Sequence, residues 1–235
     1  MKPLNGINTI VFDLDDTILD TGICYWKYIE LFSEELSKKL NGRVSIGEIM
    51  RRQEEIDIEE VEYAGFTRQR FPRSFVKTYQ WYAGKYGLPV TDELKKHYWD
   101  MADAVYDIVP GLLPGALETL SYLKKRNYSL ILYTLGDENI QWKKINKHSL
   151  SNYFSDIHIV LRKEKETLAE VLNGRVPEKV AVVGDSKRGE IAPAVALGCK
   201  AFFIERESPW TYLINVDVPG EFTTITTLSE LKTYF

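Results

Sequence analysis

The stretch that most constrains this chain is INTIVFDLDDTILDT, residues 7–21. Ile10, Val11 and Phe12 make a short apolar, partly β-branched run. Asn and Gly precede it and acids follow, which is the pattern of a buried strand. Asp13, Asp15, Asp16 and Thr17 crowd its end. Side chains alternate along an extended chain, so Asp13 and Asp15 are expected on one side. Two carboxylates there repel, and burying them unpaired is expensive. A divalent cation such as Mg2+ removes that objection, because it takes carboxylate and carbonyl oxygens. Ligands of open α/β sheets sit at the carboxyl ends of strands. The stretch therefore points to a metal site with an acidic nucleophile. Taken alone, it also fits a strand followed by an acidic turn and a helix cap.

The rest of the 235-residue chain divides by pattern. Residues 22–109 look helical throughout. Tyr25, Tyr28, Ile29, Phe32 and Leu36 recur at helical spacing. Further helices are expected over 46–61 and 71–86, the latter rich in aromatics (Phe75, Tyr79, Trp81, Tyr82) that suit a core. Gly87 and Pro89 stop it, and Thr91 looks like the cap of a fourth. At residues 110–115, PGLLPG, two Pro and two Gly mark a boundary with a hinge-like composition. Beyond it strands are expected at 128–133, 156–161, 179–183 and 200–204. They alternate with helices at 138–148, 164–172 and 189–197, and a closing helix is expected at 228–234. Alternation of this kind implies a parallel sheet covered on both faces. The first strand belongs to that sheet. The expected architecture is a Rossmann-like α/β core from residues 1–21 and 110–235, interrupted by a helical cap domain at 22–109.

Three later strand ends carry chemistry. Thr134, in TLGD, offers a hydroxyl before a Gly-containing turn into a helix, a way to bind a phosphoryl group. It also fits a Thr that merely ends a strand. After the next strand, Lys163 or Lys165 is placed to offset phosphoryl and carboxylate charge. Lys163 is preferred because it lies nearer the strand end. After the third, Gly184 permits a tight turn, so Asp185 is expected at the carboxyl end of the sheet with Asp13 and Asp15, where the three would share one Mg2+. Helix capping explains Asp185 or Ser186 equally well when either is taken alone. Glu190 follows at the start of a helix.

The pieces occur in the order DxDxT, Thr, Lys, GDxxxxE, each at the end of an expected parallel strand. This set resembles the haloacid dehalogenase (HAD) superfamily, phosphatase-type, and an insert just after the first motif is similar to the family's C1 cap. The tract 134–137 with Gln141 and Lys144, and KEKET at 163–167, look like a branch of generic phosphatases. The resemblance implies that Asp13 is the nucleophile, Asp15 the acid/base, Thr134 the phosphate-binding hydroxyl, Lys163 the charge-balancing lysine and Asp185 the metal-binding acid. Glu190 stands where Asp is commoner; its direct contact with metal or lysine is left open. Leu135 stands where Asn is common.

The activity implied is hydrolysis of a small phosphorylated metabolite, with Mg2+ as cofactor and a phospho-aspartate intermediate. An acid at position 15 suits phosphate chemistry, since a departing halide needs no proton. A β-phosphoglucomutase-like phosphomutase is the rival enzyme, and a non-catalytic partner-binding protein on the same fold the rival of another class. Arg68 and Arg70, in YAGFTRQR (63–70), are the candidate cap residues for reading substrate, and two solvated arginines in a turn fit the same loop at least as well. The cap is expected to close over Asp13, with hinges near 20–22 and 109–115.

A net charge of −4 disfavours a nucleic-acid partner. No apolar run approaches membrane-spanning length. The N-terminal apolar run is too short for a signal peptide, and two distant cysteines, Cys24 and Cys199, fit a reducing compartment. A cytoplasmic protein is expected.

Overall fold

The computed structural model describes residue 4, residues 6–207 and residues 210–235; the first residues of the N-terminal segment lie outside that range. The chain divides into two compact units, one of residues 1–22 and 110–235, the other of residues 23–109.

The first unit begins with β1 (Thr9–Phe12). It resumes after the insert with α5 (Ala116–Lys125), β2 (Ser129–Leu135), α6 (Glu138–Lys147), β3 (Asp156–Val160), α7 (Lys165–Leu172), β4 (Val180–Gly184), α8 (Ala192–Leu197), β5 (Lys200–Ile204), α9 (Thr211–Ile214) and β6 (Thr223–Ile225). The six strands form one sheet in the order β3-β2-β1-β4-β5-β6, and every pairing is parallel. β1 is central, with Val11 opposite Ile131 on one side and Val182 on the other. Alternation along the strands feeds two apolar layers. Ile10, Phe12, Leu130, Leu132 and Val183 pack with Leu120 and Leu123 of α5 and Ile145 of α6. Val11, Ile131, Tyr133 and Val182 pack with Leu168 and Val171 of α7 and Ala194 of α8. Burial on both faces explains why these strands read as apolar runs. A 3₁₀ turn at Leu228–Thr233 closes the chain where a helix was expected, and α5, α9 and β6 are additions to the expected set.

The second unit holds α1 (Gly22–Lys39), α2 (Ile46–Ala64), α3 (Arg70–Tyr86) and α4 (Asp92–Asp103). Ser45 and Glu48 close a capping box on α2, and the Thr91 hydroxyl caps α4 by accepting from Leu94 N at 3.2 Å. Gly87 ends α3 in the left-handed conformation that glycine adopts freely. The aromatic stripe of α3 is core: Phe75 lies 4.5 Å from the Phe32 ring, and Tyr79 lies 4.7 Å from Tyr98. Trp81 is the exception, half-exposed beneath the Arg52 guanidinium. Among the described residues no helix is long and apolar enough to cross a membrane.

Candidate active site

Parallel strands bring their carboxyl ends to one edge, so Asp13 after β1, Thr134 at the end of β2, Lys163 after β3 and Asp185 after β4 share it. Asp13 is buried, and its backbone N–H donates to Val183 O at 3.0 Å, extending the β1–β4 pairing by one residue. Lys163 Nζ donates to Asp13 and, at 2.5 Å, to Glu190 Oε1. It also lies 5.0 Å from the centre of the Tyr133 ring. Lys165, the alternative, is exposed as the first residue of α7.

The contact of Glu190 with lysine, open from sequence, is direct. Glu190 sits in a π-helical turn, Lys187–Ile191, that follows Ser186. The wide turn swings its carboxylate back over the strand end, where Oε2 accepts from Ser186 N at 3.0 Å. Gly184 is needed here for a different reason from the expected turn. A Cβ on it would stand 2.5 Å from Glu190 Cγ and 2.9 Å from Cδ.

Asp15 departs from expectation. The strand ends at Phe12, and residues 14–19 close a tight loop in which Leu14 O accepts from Ile18 N and Leu19 N at 2.9 and 3.0 Å. The period-two pattern stops there, so Asp15 does not share the partners of Asp13. Oδ1 of Asp15 accepts from Thr21 Oγ1 at 2.5 Å and Lys144 Nζ at 2.7 Å, and Oδ2 accepts from Gln141 Nε2 at 2.8 Å. Both oxygens are engaged by protein donors, none of them shared with Asp13. Gln141 Nε2 also reaches Thr134 Oγ1 at 2.6 Å, and Thr134 is fully buried.

Charge at the site is unbalanced. Burial pushes the pKa of Asp13 up; Lys163 opposes this and the Asp15 charge adds to it. Burial, followed by the Asp13, Glu190 and Asp16 charges, pushes Asp185 well up. Glu190 is pushed up to about 7 by burial, against the pull of Lys163, and Asp16 to about 6, again chiefly by burial. Burial would also raise Asp15, but the Lys144 ammonium and the three donors outweigh it and hold its pKa below the usual carboxylate range. Lys163 is desolvated too, yet Asp13 and Glu190 hold it charged.

One ammonium thus faces Asp13, Asp185 and Glu190, an arrangement that a divalent cation would balance. Among the described residues no three His, Cys, Asp or Glu side chains converge as a ready-made cage. Two carboxylates, Asp13 and Asp185, suit Mg2+, which keeps several waters and binds through one or two carboxylates plus substrate oxygens.

Neither cap arginine is free. Arg70 begins α3 and is buried, paired with Asp57 and stacked 5.6 Å from the Phe66 ring. That corrects its expected role in reading substrate: burial inside the insert commits it to holding α2 and α3 together. Arg68 donates to Asp103 through Nε and Nη2 at 3.0 and 2.7 Å and lies over Tyr106 at 5.3 Å. Gln141 and Lys144 carry no assigned role in the sequence. Their signal is a polar pair at i, i+3 on the same helix as the buried Ile145.

A parallel α/β sheet with acids at the ends of its two central strands, and a hydroxyl and a lysine beside them, defines a class of hydrolases. A family model described as haloacid dehalogenase-like hydrolase matches residues 7–198, and the chain belongs to that family. No curated protein matches it. Among solved structures it is similar to a haloacid dehalogenase-like family hydrolase from Xanthomonas campestris (TM-score 0.74, 19% identity, 97% of this chain and 94% of that one). It is also similar to the putative HAD-hydrolase YfnB from Bacillus subtilis bound to magnesium (0.63, 20%, 97% of each chain). A third is a predicted phosphoglycolate phosphatase from Haemophilus somnus (0.62, 16%, 98% of each chain). Haloacid dehalogenases share the fold as well.

Proposed function

We propose that this hydrolase is a phosphatase that releases inorganic phosphate from a small phosphorylated metabolite, with Asp13 as nucleophile and Mg2+ as cofactor. The observation that carries this reading is the carboxylate of Asp15, held by Thr21, Gln141 and Lys144 two residues after Asp13. A halide departs as a stable anion, whereas an alkoxide leaving from phosphorus needs a proton. A carboxyl group maintained at this position serves the second reaction.

In that chemistry an Asp13 oxygen bonds to phosphorus as the bond to the ester oxygen breaks, leaving an aspartyl-phosphate. Asp15 gives a proton to the departing oxygen. It then takes one from the water that attacks the aspartyl-phosphate, and this returns Asp13 and releases phosphate. The negative charge of a bound phosphoryl group pushes the pKa of Asp15 back up, which loads it as an acid. Lys163 holds Asp13 aimed and offsets phosphoryl charge, and the Thr134 hydroxyl binds a phosphoryl oxygen. Mg2+, held by Asp13 and Asp185, would supply the remaining positive charge.

Phosphate release is measured from p-nitrophenyl phosphate and a phosphometabolite panel, and halide release from 2-haloacids. The expected result is Mg2+-dependent phosphate release that EDTA stops and Asp13→Asn abolishes. Halide release without phosphate release overturns the reading. Isomerisation that needs a bisphosphate primer identifies a phosphomutase.

A further inference from the structure

We propose that Gln141 and Lys144 of α6 are positioning residues that hold the Asp15 carboxylate where it exchanges a proton with the leaving group. The inference rests on the phosphatase reading. Buried lysine is rare unless paired, and a buried glutamine amide must find acceptors. Both residues are almost fully buried, 6% and 2% exposed, on the helix whose Ile145 enters the apolar layer. Their spacing of three places the two side chains on one face of α6. From that face each takes a different oxygen of one carboxylate: Lys144 Nζ takes Oδ1 at 2.7 Å, and Gln141 Nε2 takes Oδ2 at 2.8 Å. A carboxylate gripped at both oxygens from one rigid helix cannot rotate freely.

The grip extends to the phosphate side. The Gln141 amide also reaches Thr134 Oγ1 at 2.6 Å and Leu135 O at 3.1 Å. Its two N–H bonds are shared among three acceptors, so one amide links the leaving-group acid to the hydroxyl expected to bind the phosphoryl group. Thr21 Oγ1 adds a third donor to Asp15, at 2.5 Å. Without the pair on α6 the carboxylate keeps only that hydroxyl. A 1 Å misplacement of a group that must meet a reacting oxygen can cost about 10² in rate.

A purely structural role would lower the rate on all substrates alike. A positioning role is sensitive to the leaving group. Nitrophenolate departs with little need of a proton, whereas an alkoxide departs only with one. The test uses the full chain with Mg2+, as wild type, Lys144→Met and Gln141→Leu. It compares kcat and KM on p-nitrophenyl phosphate with those on the alkyl phosphate that the wild type turns over fastest. We expect both variants to lose at least about tenfold more kcat on the alkyl ester than on the aryl ester, with KM moving less. Equal losses on the two esters, in a variant that melts at the wild-type temperature, overturn the proposal. If Lys144→Met does not fold, Gln141→Leu decides by the same ratio. A wild type that cleaves no phosphate ester refutes the phosphatase reading and this proposal with it; a wild type that cleaves both esters, with an unchanged ratio in the variants, refutes only this proposal.

Discussion

Replacing Gly184 by Ala adds one methyl group where the structure has no room for it. The new Cβ would stand 2.5 Å from Glu190 Cγ and 2.9 Å from Cδ and Oε2. Glu190 cannot yield cheaply. It is buried, its Oε1 accepts from Lys163 at 2.5 Å, and its Oε2 accepts from Ser186 N at 3.0 Å. Overpacking of this kind costs about 1–3 kcal/mol. Displacing Glu190 also loosens a buried ion pair whose complete loss costs about 3–5 kcal/mol. Lys163 keeps Asp13, so only part of that second penalty applies, and about 3 kcal/mol is expected in total. For a chain of this size that is about 6–12 °C in Tm. Activity should fall with it, because Lys163 loses one of the two carboxylates that aim it. Gly84 is the control: it is exposed in the last turn of α3 with nothing within 4 Å of an added Cβ. Gly84→Ala should stabilise by about 0.5–1 kcal/mol. Urea unfolding and thermal melting of the two variants, with kcat on p-nitrophenyl phosphate, provide the comparison. A Gly184→Ala protein that melts and turns over like the wild type would refute the argument that Glu190 packs on that backbone.

Arg70→Met leaves the buried Asp57 carboxylate without its cation and should cost about 3–5 kcal/mol in urea unfolding; Arg70→Met with Asp57→Leu should recover most of it, and no recovery would show that the pair does more than neutralise charge. Without Mg2+, Tm should fall as pH rises from 5 to 8. The native pKa values of Asp16 and Glu190, about 6 and about 7, lie above their unfolded values of 3.8 and 4.5. The native state therefore binds protons that the unfolded chain has released, and the stabilisation present at low pH is lost through that window. Added Mg2+ should raise Tm more at pH 8 than at pH 5, and a flat or rising metal-free profile would contradict the burial of these acids.

Much of the fold was legible because its signals are local. The apolar run at Ile10 to Phe12, the strand at Lys200–Ile204 and the Thr91 cap are all read from a few neighbouring residues. α5 carried the same kind of signal, with Ala116, Leu120 and Leu123 on one face. β6, at three residues, is too short to show a period. Two conclusions drawn from local geometry failed for physical reasons. The alternation that put Asp13 and Asp15 together ended with the strand, and Arg70, placed in a loop between two expected helices, became the first residue of α3.

Which chemistry stands at the strand ends can be read residue by residue. The identity of a residue after a strand, and the parallel sheet implied by alternating elements, together place Asp13, Thr134, Lys163 and Asp185 on one edge. Which of these groups touch depends on the folded chain. Lys163 meets Asp13 across 150 positions and Glu190 across 27, while Lys144 and Gln141 meet Asp15 across 129 and 126. Those pairings depend on β1 lying between β2 and β4 and on α6 presenting its Gln141–Lys144 face to the loop after β1. Contacts made over such separations are set by strand order and layer packing, which no local period encodes.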